Sequence, residues 1–120
     1  MEIKVADVFD VKVEKKNNYA ILITEGYVNN LGGEKISEKV DKLIEEGIIN
    51  FIINFEKSNV VNSIGISILI EVIEKLVDIG GKIYFCNLTK TISKTFSIMG
   101  LTQFSEIFET QEDAVKEISK

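Results

Sequence analysis

The chain has 120 residues, 45% hydrophobic and 28% charged, enough for one compact domain that buries about two thirds of the surface its unfolded form exposes. Its net charge is −5 and all fourteen basic residues are lysine, gathered into no stripe, which excludes the electrostatic footprint of a nucleic-acid partner. One cysteine excludes an internal disulfide, and the lack of histidine excludes histidine triads and histidine metal sites. The longest oily stretch, Val60 to Ile73, is broken by Asn62, Ser63, Ser67 and Glu71 and falls short of the ~20 residues that cross a bilayer, so no membrane span is expected. No charged start followed by an apolar run and a cleavage site opens the chain, so the expected compartment is the cytosol.

In chain order, Val8 to Glu14 and Tyr19 to Glu25 both alternate, with Phe9, Val11 and Val13 on one face of the first and Tyr19, Ile21 and Ile23 on one face of the second. Lys15 to Asn18 join them, which predicts a β-hairpin with a polar turn. Ile36, Val40, Leu43 and Ile44 recur at helical spacing between Gly33 and Glu46, and Gly47 is placed to end that helix in a left-handed cap. Ile48 to Phe55 is an almost continuous apolar run, as expected of a central strand covered on both faces. After a polar loop from Glu56 to Asn59, the stripe Ile66, Leu69, Ile70, Ile73, Leu76 and Val77 predicts a helix over about Ile64 to Asp78, stopped by Gly80-Gly81.

Lys82 to Asn87 predicts a second buried strand, with Cys86 in its core-facing part. A helix through Ile92, Phe96 and Met99 follows, with Gly100 as its stop. Phe104, Ile107 and Phe108 form a short apolar patch, and Thr110 with Asp113 resembles a capping box that opens a last helix through Ala114, Val115 and Ile118. No segment remains for a second domain, and the absence of proline, low-complexity tracts and internal repeats agrees with a single unit spanning residues 1–120. The order predicts an α/β fold: a mixed sheet, parallel in the centre with an antiparallel hairpin at one edge, packed with about four helices.

Sites in such sheets gather outside the carboxyl ends of the strands, which draws attention to the loop leading to Asn62-Ser63-Ile64-Gly65-Ile66. Ser63 stands where that loop meets the helix, as an N-cap would, and a phosphate there would lie beside unpaired backbone N–H groups and the positive dipole end. Ser58 in the loop and Ser67 one turn into the helix are rival hydroxyls, the latter placed to bond back to a backbone carbonyl. Enzyme chemistry is not expected, nor is a cofactor or metal. The pairs Gly32-Gly33 and Gly80-Gly81 lack the context of a phosphate-binding loop and read as turns and caps. Asn54 occupies the strand end where a response-regulator receiver carries its aspartate, and the carboxylates Glu34, Glu38, Glu45 and Glu46 form a solvated helix face.

Asn62-Ser63-Ile64-Gly65-Ile66, the long apolar helix, Gly80-Gly81-Lys82-Ile83-Tyr84-Phe85-Cys86 and then Phe96-Ser97-Ile98-Met99-Gly100-Leu101 together resemble the STAS domain of anti-sigma factor antagonists over nearly the whole chain. The resemblance implies a non-catalytic cytoplasmic regulator that binds an anti-sigma factor of the serine kinase type and thereby frees a sigma factor. It implies that the kinase phosphorylates Ser63 and ends the complex until a serine phosphatase removes the phosphate. By the same resemblance the partner-binding residues are Asn29, Asn62, Ser63, Ile64, Gly65 and Ile66. Two positions depart from the family pattern. Asn62 stands where aspartate is usual, and Gly26-Tyr27-Val28-Asn29 stands where Gly-Glu-Leu-Asp is frequent, so both departures remove negative charge near the expected binding face. An alternative from another class is an unphosphorylated STAS scaffold or accessory subunit of a larger signalling or transport assembly. A third is small-ligand binding between Asn29 and Ser63.

Overall fold

The computed structural model describes residues 9–120, so Val8, the expected start of the first strand, lies outside the described residues. Five strands, β1 (Asp10–Lys15), β2 (Ala20–Glu25), β3 (Asn50–Lys57), β4 (Lys82–Cys86) and β5 (Glu106–Phe108), form one sheet in the order β1-β2-β3-β4-β5. Four helices, α1 (Asn30–Glu45), α2 (Ser63–Asp78), α3 (Lys90–Ile98) and α4 (Gln111–Ile118), connect or follow them, with a short 3₁₀ turn at Leu101–Gln103. The expected hairpin is present: β1 and β2 are antiparallel with Lys15 opposite Ala20, and the turn closes through Lys16 N–H to the Tyr19 carbonyl at 2.8 Å. All other neighbours are parallel, which is why a helix must return the chain between them.

Alternation along the strands divides the side chains between two cores. Leu22, Phe51, Ile53, Phe55, Ile83 and Phe85 pack beneath α1, α2 and α3, whereas Tyr19, Ile21, Ile52, Tyr84 and Cys86 pack against Ala114 and Ile118 of α4. Phe9, Val11 and Val13 join the first core and Tyr19, Ile21 and Ile23 the second, so the two stripes of the hairpin face opposite sides of the sheet. The larger core is centred on Phe55, Phe85 and Phe96, fully buried and mutually edge-to-face, with ring centroids 5.2–6.1 Å apart.

Other boundaries shift by a residue or two, but three differences from the sequence expectation matter more. Helix α1 begins at Asn30 rather than Gly33, because Asn29 caps it and Gly32-Gly33 lie inside its first turn instead of forming a turn of their own. A Cβ on Gly32 would come within 2.7 Å of the Tyr27 carbonyl oxygen, so its glycine serves close approach. Strand β3 covers Asn50–Lys57 rather than Ile48 to Phe55, because pairing carries it outward as far as Lys57, opposite Glu25. Within the expected apolar patch, Glu106–Phe108 form a fifth strand on the edge of β4, while Phe104 stays 64% exposed.

Cys86 is a core residue, as expected. Burial pushes its thiol up to about 12, and the Glu56 carboxylate adds to the shift. The folded state thus holds this proton more tightly than the unfolded chain, whose thiol titrates near its ordinary value of 9.0. The corresponding stability is intact below about pH 9 and is lost as pH rises towards about 12. Tyr84 shifts in the same direction, by burial first and then by the carboxylates of Glu106 and Glu117. In denaturant unfolding followed across this alkaline range, the midpoint is expected to fall with pH, and Cys86→Ala should make that fall shallower without abolishing it. Near neutral pH a thiol reagent should label Cys86 only after unfolding.

Candidate functional site

The site begins with two loops that leave neighbouring parallel strands at the same end. Val28, after β2, and Val61, after β3, form an isolated parallel bridge in which Val28 N–H donates to the Val60 carbonyl (2.9 Å) and Asn62 N–H donates to the Val28 carbonyl (3.2 Å). The next residue in each loop is an extended asparagine that starts a helix. Asn29 Oδ1 accepts from Gly32 N–H at 3.0 Å, and Asn62 Oδ1 accepts from Gly65 N–H at 2.8 Å. The N-termini of α1 and α2 therefore lie side by side, each capped through its third residue.

This corrects the expected role of Ser63. The serine is the first residue of α2, not its cap, and its side chain is exposed while Asn62 does the capping. Asparagine, aspartate and serine cap about equally well, so asparagine at position 62 removes a charge without weakening the helix start. The rivals are also resolved. Ser58 is fully buried with its Oγ 2.7 Å from Thr24 Oγ1, at a bulge where β2 changes register against β3, and the Thr24 hydroxyl reaches the Asn54 carbonyl at 3.3 Å. Ser67 Oγ donates to the Ser63 carbonyl at 3.0 Å, the expected back-bond. Of the three hydroxyls, Ser63 stands at the exposed helix start without a structural duty of this kind.

Of the six expected partner-binding residues, Ser63 and Ile64 are exposed, Asn29 and Asn62 are half-buried, and Gly65 and Ile66 are buried. The inward positions have a structural reason. A Cβ on Gly65 would lie 2.2 Å from the Val28 carbonyl oxygen, so only glycine lets α2 come this close to the loop beneath it. Ile66 lines a cavity of about 180 Å³ together with Asn59, Val60, Val61 and residues of α3. Asn29 and Ser63 do not line that cavity.

The two loops carry a short common pattern at this site. Val28-Asn29-Asn30-Leu31-Gly32 and Val61-Asn62-Ser63-Ile64-Gly65 share the pattern Val-Asn-polar-aliphatic-Gly, and in both the asparagine caps a helix through the glycine N–H. Leu31 and Ile64, the paired aliphatic residues, are both exposed, at 65% and 53%, and Tyr27 and Val60 beside them at 45% and 54%. None of α1, α2 or α3 carries an acidic residue in its first turn. Among the described residues, no helix is long and apolar enough to cross a membrane.

The fold has counterparts among known proteins. The sequence profile of the STAS domain matches residues 10–114. An anti-sigma factor antagonist from Mycobacterium paratuberculosis superposes with a TM-score of 0.82 at 15% identity, covering 98% of this chain and 100% of the other. The anti-sigma factor antagonist SpoIIAA is similar in its unphosphorylated form (TM-score 0.74, 19% identity, covering 92% of this chain and 98% of the other) and, from Bacillus, in its phosphorylated form (0.72, 22%, 91% and 99%). The same fold covers 88% of this chain but 18% of the murine anion transporter Slc26a9, at 18% identity and a TM-score of 0.70. No curated protein matches in sequence. With its profile match extending from the first strand into the last helix, the chain belongs to the STAS domain family.

Proposed function

We propose that this protein is a non-catalytic, cytoplasmic anti-sigma factor antagonist that binds an anti-sigma factor of the serine kinase type and is switched off by phosphorylation of Ser63, a serine phosphatase restoring it. The docking surface is the rim formed by Asn29, Asn62, Ser63 and Ile64, with Gly65 and Ile66 as its inner support. The observation that carries this reading is the division of labour at the start of α2: Asn62 caps the helix and Ser63 is left exposed. Phosphorylation would add about −1.5 to −2 charges where the helix dipole and free N–H groups favour an anion, so the fold tolerates it. The same charge in an interface faces loss of water or repulsion, and every ~1.4 kcal/mol weakens binding tenfold. That a Bacillus protein of this fold is known in a phosphorylated form agrees with the first half of this argument.

A second reading, an accessory domain of a larger assembly that is never phosphorylated, is supported by the presence of this fold within the transporter chain. Phosphoserine mapping of protein from its own cells, joined to a pull-down with Ser63→Ala and Ser63→Asp, separates the two. The switch expects phosphate on Ser63 and a partner kept by the Ala variant but lost by the Asp variant. Equal recovery by both variants, with no phosphate on Ser63, would leave only the accessory reading.

The separation of cap from switch has its own measurement. In denaturant unfolding Asn62→Ala should cost about 1 kcal/mol, whereas Asn62→Asp should be nearly neutral and Ser63→Ala should stay within about 0.5 kcal/mol of the parent. A Ser63→Ala cost as large as that of Asn62→Ala would return the cap to the serine.

A further inference from the structure

Charged residues make up 28% of the chain, yet none occurs from Gly26 to Gly33 or from Ser58 to Ile70. The Val28–Val61 bridge joins these two uncharged segments into one surface. On it Tyr27, Leu31, Val60 and Ile64 expose large apolar groups around Ser63. Single exposed apolar residues are ordinary, but four brought together by two bridged loops mark a contact surface. At its side opens the cavity of about 180 Å³, with Val60, Val61 and Ile66 on one wall and Thr91, Ile92 and Phe96 on the other, again without a charged residue. A cavity of about 150 Å³ admits a benzene ring, so this one is suited to a single aliphatic or phenyl side chain.

We propose that the occupant of this surface is an uncharged, apolar face of the partner protein that seats one large hydrophobic side chain in the cavity, and that a charge on Ser63 ends the complex by resisting loss of water rather than by repelling a like charge. This rests on the reading of Ser63 as the switch. Charge complementarity carries it: two joined segments with no ionic side chain of their own offer a charged partner no counter-ion there, whereas an apolar partner gains the burial of all four exposed side chains. A phosphate in that contact would be removed from water with no cation to meet it, a penalty that does not depend on the sign of the charge.

That independence of sign is the test. Against the kinase-type partner, Ser63→Asp and Ser63→Lys are both expected to weaken the complex at least about tenfold, while Ser63→Met, similar in length to lysine but uncharged, retains it. Affinity of the parent chain should change less than about twofold between about 0.05 and 0.5 M salt. Retention of the partner by Ser63→Lys, loss with Ser63→Met, or a steep fall with salt would overturn the proposal, with thermal unfolding of each variant showing that it is folded. A partner-free arm uses the full chain and N-acetyl-phenylalaninamide, a neutral probe, followed by amide chemical shifts. Saturable shifts centred on Val61, Ile66 and Ile92 support the apolar seat. No such shifts, or tighter binding of N-acetyl-phenylalanine carboxylate or phenethylammonium, refute it. If Ser63→Asp keeps the partner, the switch reading fails, and the apolar seat is then decided by the probe alone.

Discussion

The contact between the Val28 carbonyl and the first turn of α2 is the constraint on which the site depends. The Val28 oxygen accepts from Asn62 N–H, and the same carbonyl lies so near Gly65 that any side chain there would collide with it. One backbone group thus fixes both the start of α2 and its distance from the preceding loop. Because β2 and β3 are parallel, both loops emerge at the same end of the sheet, and the bridge between them turns two separate helix starts into one surface. The buried pair Thr24 and Ser58 supports this from below, joining the bulge in β2 to the base of the second loop.

Electrostatics at this surface follow from what is missing as much as from what is present. The two asparagine caps provide the hydrogen bonds that aspartates would, and the dipole ends of α1 and α2 are left uncompensated by side-chain charge. The chain nevertheless carries a net charge of −5, so its acidic groups lie elsewhere, as on the exposed face of α1 and at the start of α4. An uncharged surface on an acidic protein would separate solubility from the proposed recognition: long-range repulsion would keep copies apart, and short-range apolar contact would select the partner.

Much of this architecture was legible in the sequence, for reasons that can be traced to particular elements. Helix α2 was clear because its apolar stripe, its polar entry and its terminal glycine pair all agree, and Gly47 and Gly80 do end α1 and α2 at positive φ. The start of α1 was not, because Gly32-Gly33 reads as a break until the second helix is known to press against the first. Strand β3 was displaced because Ile48 and Ile49 are as apolar as Phe51 and Ile53, and only pairing with β2 and β4 decides which of them enter the sheet. Strand β5 has no signature in the sequence, because three residues carry too short an alternation to distinguish a strand from a loop. At the site the sequence marks the serine but does not place the cap at Asn62, since asparagine and serine are equally good caps and spacing alone cannot rank them. The burial of Ser58 had no local signal, because its partner Thr24 is distant in sequence.

The assignment of the cap to Asn62 also bears on how such a protein diversifies. A residue that both held a helix and received a regulatory group would be fixed by two selective demands, and losing one would endanger the other. Here folding constrains position 62 and leaves position 63 free, so under the proposed switch descendants could gain, lose or permanently mimic regulation by a single substitution without first acquiring a stabilising change elsewhere. Relatives that retain asparagine or aspartate at the cap while varying the next residue would be the evolutionary record of that freedom.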